Sequence, residues 1–188
     1  SSEMVFVLRF CLTVMFLLSS LSLASAACQG REITEGVYNP PLCVPAEARR
    51  IVTLDPLLTL GLLIELEAPV VATPYMAIQD EQVLDVVRQA KMVDLGNPRE
   101  PSLERVAALK PDLIIGSTEG HAAIYETVSR IAPTVLLDHT DWKKYRQRVA
   151  QITGREGKAD DALAAYETRV AAIRERMKDK DLTVSTVR

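Results

Sequence analysis

The chain has 188 residues, a formal net charge of −3, 25% charged residues and 48% hydrophobic ones. That profile fits one globular domain of ordinary size, and its near-balanced charge argues against a nucleic-acid partner. Aromatic residues make up 5% of the chain, too few for a base-stacking surface.

Residues 1–26 read as a leader separate from the fold. Met4 is the natural start, Arg9 supplies positive charge, FCLTVMFLLSSLSL fills 10–23 and ASAA fills 24–27. Charge, apolar run and small-residue site, in that order, make a secretory signal peptide. The run is short of the ~20 residues a membrane-spanning helix needs. Cleavage after Ala26 gives a free periplasmic product. A second reading is lipidation of Cys28, although Ser25 stands where a lipobox carries an aliphatic residue.

Cys11 departs with the leader, leaving Cys28 and Cys43. An even pair in an exported chain points to a disulfide; the alternative is two free thiols. The two cysteines flank GVYNPP at 36–41, a turn between two short extended arms, so 27–48 is expected to form a hairpin.

From residue 50 onward strands and helices alternate. IVTL at 51–54 is the first strand of the series, and Asp55-Pro56 then starts a helix over 57–66 as cap and first helical residue. Strands follow at 70–73, 92–95, 112–116 and 134–137, with helices over 80–89, 102–109 and 122–131 between them. The continuous apolar run at 112–116 predicts a strand buried on both faces. This alternation implies an α/β fold, a Rossmann-like lobe around a mostly parallel sheet, ending near Asp138.

Asp141 then caps a helix over 142–153, and Gly154 interrupts it. A longer helix over 157–178 carries Ala159, Leu163, Tyr166, Val170, Ile173 and Met177 on one face. Those steps of three and four define a single stripe that needs something to lie against. LTVSTV at 182–187 alternates like a strand and is expected to be the first of a second lobe; the other readings are a frayed tail or an addition to the edge of the existing sheet.

Four stretches carry a family resemblance: RRIVTLDP at 49–56 with APVV at 68–71, DLGNPREPSLERVAALKPDLII at 94–115, IYETVSRIAPTV at 124–135, and the Gly154-Arg155 break before the long helix. In this order they resemble the ferric-siderophore and cobalamin type of ABC-transporter substrate-binding protein. The resemblance implies two α/β lobes joined by a long rigid helix, with residues 49–138 as the first lobe and 141–178 as the link. It implies a monomeric carrier that takes a ferric siderophore, or haem or cobalamin, to a permease in the inner membrane.

In open α/β sheets ligands sit beyond the carboxyl ends of the strands. The candidate loops are therefore 54–55, 74–75, 96–100 and 117–121. The resemblance puts an arginine for anionic chelates in the third loop, which selects Arg99, and a ligand contact at His121; Thr118 and Glu119 share that last loop. Tyr75 is placed to stack on a chelate. Trp142 either lines the cleft or packs the hinge, with packing the expectation. Relatives carry an exposed Glu that pairs with permease arginines, and Glu104 matches it.

His121 and His139 stand on different loops, so no metal site and no resident cofactor is expected. The chain has no G-x-G-x-x-G after the first strand of the series, no G-x-x-x-x-G-K and no G-x-S-x-G. An enzyme is not expected. Asp55, Asp94, Asp138 and His139 could be assembled into a hydrolytic site, but capping and loop solvation explain them more simply.

Overall fold

A computed structural model describes residues 27–139 and 141–178, without the side chains of Trp142 and Lys143. The leader at 1–26, the strand expected at 182–188 and the role of the Trp142 side chain lie outside the described residues.

Strands β1 (Arg31–Ile33) and β2 (Leu42–Val44) form an antiparallel pair in which Arg31 faces Val44 and Ile33 faces Leu42. Cys28 and Cys43 are joined, with Cα atoms 5.6 Å apart. Tyr38 donates its amide to the Leu136 carbonyl at 3.0 Å, so the hairpin leans on the outer edge of the main sheet.

That sheet holds β3 (Ile51–Thr53), β4 (Val70–Thr73), β5 (Val93–Asp94), β6 (Leu113–Ser117) and β7 (Thr134–Leu137). All its pairings are parallel, in the order β5-β4-β3-β6-β7. Successive side chains on a strand point to opposite faces, and both faces are covered. Ile51, Leu113, Ile115 and Val135 pack into one apolar cluster; Val52, Leu54 and Ile114 pack into another. This is why β3 and β6 are buried at every position rather than alternating. Asp112 fixes the register at their start by accepting the amides of Arg49 and Arg50 at 2.8 and 2.9 Å.

Helices α1 (Thr59–Glu65), α2 (Glu81–Gln89) and α6 (Trp142–Thr153) supply Leu60, Leu63, Val87, Val149 and Ile152 to the first cluster. Helices α3 (Leu103–Ala108) and α5 (Tyr125–Val128) supply Val106 and Val128 to the second. The result is three layers with the sheet in the middle.

Two helices differ from expectation. The first begins at Thr59, because the Asp55 carboxylate gathers the amides of Leu57 and Leu58 into a separate turn at 3.0 and 3.3 Å. The helix expected over 122–131 is three short pieces: α4 (Thr118–His121), a 3-10 turn (Ala122–Ile124) and α5. Ser117 accepts the Gly120 amide at 3.1 Å, which starts the helical turn directly at the end of β6.

Helix α7 (Glu156–Met177) follows Gly154. Gly154 has φ +70°, and a Cβ there would sit 2.6 Å from the Ala46 carbonyl oxygen, so both the turn and the contact with the hairpin require glycine. Arg31 bridges the same junction through an ion pair with Glu156. Beyond Ala159, the apolar stripe of α7 is uncovered among the described residues: Leu163, Tyr166 and Ile173 are each about half exposed, at 47%, 56% and 51%.

Candidate functional site

The chain leaves β3 toward β4 on one side and leaves β6 toward β7 on the other. Loops that diverge from neighbouring parallel strands open a crevice at the sheet's carboxyl end. A cavity of ≈ 590 Å³ occupies this position. Leu54 to Leu58 wall it on the β3 side, and Ser117, Glu119, Gly120 and His121 wall it on the β6 side. Pro98 and Arg99 close a third side, and His139 closes the fourth.

The Arg99 loop is held by side chains that accept its main-chain amides. Asn97 Oδ1 accepts the Arg99 amide at 2.9 Å, and Asp94 Oδ1 accepts those of Gly96 and Tyr75 at 2.7 and 2.9 Å. These side-chain-to-backbone bonds are what Asn and Asp offer a tight loop. The Arg99 side chain itself is exposed, as is that of Glu119.

His121 ties two walls together. It is 3% exposed, and its Nε2 lies 2.9 Å from the Pro98 carbonyl. A carbonyl only accepts, so Nε2 carries the hydrogen, and Nδ1 accepts the Ser117 amide at 3.0 Å. Gly116 makes this possible: a Cβ there would meet His121 Nδ1 at 3.0 Å. His121 thus lines the cavity with its ring while both nitrogens serve the main chain.

The β3 side is apolar at the mouth and polar beneath it. Leu57 and Leu58 are 68% and 53% exposed, while Asp55 is 7% exposed. The Asp55 carboxylate also accepts the Thr59 hydroxyl at 2.9 Å and lies 3.1 Å from His139 Nε2. The Tyr145 hydroxyl bonds the Thr59 hydroxyl and stands 3.1 Å from the same His139 nitrogen. Burial pushes the Tyr145 phenol well above its ordinary value; the Thr59 hydrogen bond works against this and the Asp55 charge adds to it.

Of the residues singled out from the sequence, Arg99, Glu119 and His121 share this cavity. Thr118 lines a neighbouring cavity of ≈ 410 Å³, with Tyr38, Lys144 and Arg148. Tyr75 stands apart from both: its hydroxyl donates to the Met92 carbonyl, and its ring packs against the first apolar cluster. Burial, then the Asp94 charge, raises its phenol pKa. Glu104 is exposed in the first turn of α3, behind the Ser102 cap. Sequence reasoning missed the exposed leucine pair and Tyr145, and it considered Asp55 with His139 only as part of a hydrolytic site that it set aside. Tyr145 left one visible trace, its step with Val149 and Ile152 on the buried face of α6.

Among the described residues, no group of three or more His, Cys, Asp or Glu is placed to hold a metal ion. No helix there is long and apolar enough to cross a membrane.

The family pattern of the periplasmic binding proteins matches residues 51–187. The ferric enterobactin-binding periplasmic protein FepB of Escherichia coli O6:H1 is 34% identical over 176 residues, which is 86% of this chain and 54% of that protein. The probable siderophore-binding lipoprotein YfiY of Bacillus subtilis is 32% identical, over 77% of this chain and 46% of its own length. The chain thus spans about half the length of the curated relatives it matches. Among solved structures, Staphylococcus aureus SirA complexed with staphyloferrin B superposes with a TM-score of 0.64 over 78% of this chain and 52% of SirA; at 24% identity this shows the fold.

Proposed function

The chain belongs to the periplasmic binding protein family, and on that premise we propose that residues 49–138 are the first lobe of a two-lobed carrier that captures a ferric siderophore and hands it to an ABC permease. The observation that carries this reading is the cavity at the crevice between the β3 and β6 loops, rimmed by the Arg99 guanidinium and two exposed leucines. A ferric chelate offers the matching features: anionic oxygens around the metal and apolar or aromatic arms outside it. A guanidinium suits such oxygens through its planar set of donors.

Arg99 is the principal anion contact in this proposal. Glu119 and Thr118 border the ligand, and His121 forms part of the wall while holding the Arg99 loop in place. Tyr75 stacks on the chelate only if the ligand reaches the β4 end of the sheet. Glu104 faces the permease, where an exposed rim charge sets docking register more than affinity. Helix α7 is the link to a second lobe. The protein works outside the inner membrane after loss of residues 1–26, stapled by Cys28 and Cys43, and binding rather than catalysis is its task.

The test is a fluorescence titration of the full-length protein with ferric tris-catecholate, tris-hydroxamate and hydroxycarboxylate complexes, haem, cobalamin and free Fe(III). One ferric chelate should bind and free iron should not. Arg99→Ala should weaken that binding by about tenfold or more, the scale of a lost charged hydrogen bond. Binding of haem or cobalamin alone would replace the substrate class, and no binding at all would overturn the carrier reading.

A further inference from the structure

The ring of His139 stands where two cavities meet. It lines the main crevice and also a smaller apolar one of ≈ 280 Å³ shared with Leu57, Leu58 and Tyr145. Its side chain is 24% exposed, so part of the ring is open to whatever enters. The rest is fixed from two directions. Nε2 is 3.1 Å from Asp55 Oδ2 and 3.1 Å from the Tyr145 hydroxyl. The Tyr145 ring lies against the imidazole with centroids 4.7 Å apart.

The partners are themselves hydrogen-bonded and buried. Asp55 is committed to the loop amides of Leu57 and Leu58 and to the Thr59 hydroxyl. Thr59 is fully buried and Tyr145 nearly so. Protons can be ordered along this set without conflict: Tyr145 donates to Thr59, Thr59 donates to Asp55, and His139 Nε2–H donates to Asp55. An imidazole spending Nε2 in this way keeps Nδ1 for a further contact. Histidines oriented by a carboxylate on one nitrogen and used through the other are a common arrangement at ligand sites.

Resting on the carrier reading above, we infer that His139 is a ligand-contacting residue of this lobe, accepting a hydrogen bond at Nδ1 from an N–H or O–H of the bound chelate, with Asp55 and Tyr145 as the residues that aim it. Arg99 lines the same crevice, so both residues can meet one chelate. Leu57 and Leu58, held by the same carboxylate, cover the apolar part between them.

The test uses the full-length protein and the variant His139→Gln. A glutamine amide nitrogen reaches the position of Nε2, so it keeps the bond to Asp55 but offers nothing where Nδ1 was. The probe is whichever of a tris-catecholate, a tris-hydroxamate or a hydroxycarboxylate complex of Fe(III) the wild type binds. If His139 touches the ligand, the variant keeps a near-native melting temperature and loses about tenfold or more in affinity. A folded variant that binds within about twofold of wild type overturns the inference while leaving the carrier function intact. A wild type that binds none of the three overturns both. The second measurement is independent of folding changes: with the diamagnetic gallium(III) form of the same chelate, the His139 Nδ1 resonance of wild type should move on binding while Nε2–H stays bonded. An unmoved Nδ1 resonance overturns the inference as well.

Discussion

Tyr145 shows how one hydroxyl can make a fold sensitive to alkali. Its phenol pKa is raised by burial, whereas in the unfolded chain it ionises near the ordinary value of ~10. The folded protein therefore holds the proton over a range where the unfolded chain has lost it. Stability contributed by this group is complete below pH ~10 and falls as pH rises beyond it, because unfolding then releases a proton. Denaturant titrations across that range should show the decline, and Tyr145→Phe should flatten it. At neutral pH the same substitution leaves the Thr59 hydroxyl without its Tyr145 bond and should cost about 1–2 kcal/mol in urea unfolding. Residues that act on near neighbours are legible in sequence. Asp80, Ser102 and Asp141 accept the amides of Gln82, Arg105 and Lys144 two or three positions on, as capping residues do. The pairing of Asp55 with His139 has no such trace, because the sheet order alone brings the ends of β3 and β7 to one crevice.

At the scale of elements, the hairpin and the α6–α7 junction are the two devices to probe. The disulfide closes a loop with a sequence separation of 15, and removing it by Cys43→Ser should cost about 3 kcal/mol in the same unfolding assay. Gly154→Ala should cost about 1–3 kcal/mol, since it imposes a side chain on a left-handed residue already touching Ala46. The strands were readable because each is a short apolar run ended by a turn residue. The pieces of chain between β6 and β7 were not. Their apolar spacing suggests one helix, but Ser117 starts the turn four residues early and a 3-10 segment splits the remainder of the connection. A side-chain hydrogen bond at the strand end outweighs periodicity over so short a connection.

The molecule as a whole is unevenly built. The sheet and its flanking helices enclose two apolar clusters, whereas α7 has no buried residue along its 22 positions. Hydrogen exchange of the 188-residue chain should therefore be slow in β3, β6 and α6 and much faster in the second half of α7. Slow exchange there would mean that the stripe of Leu163, Tyr166 and Ile173 is covered by self-association. The stripe's existence was plain from its three-and-four spacing; what covers it is a matter of tertiary partners, which periodicity does not name.

The strand order has a consequence for the order of events during synthesis. The central strand β3 is made first among the five, yet one of its two neighbours, β6, is made only after β4, β5 and three helices have appeared. Until then one edge of the central strand has nothing to pair with. Parallel pairings between distant segments form slowly, because loop closure must precede the contacts that reward it. A nascent chain lacking β6 and β7 therefore has no complete core to collapse onto, and it stays pliable for as long as those strands are missing. The topology delays folding until nearly the whole lobe has been made, so the polypeptide stays unpaired and extended through most of its synthesis.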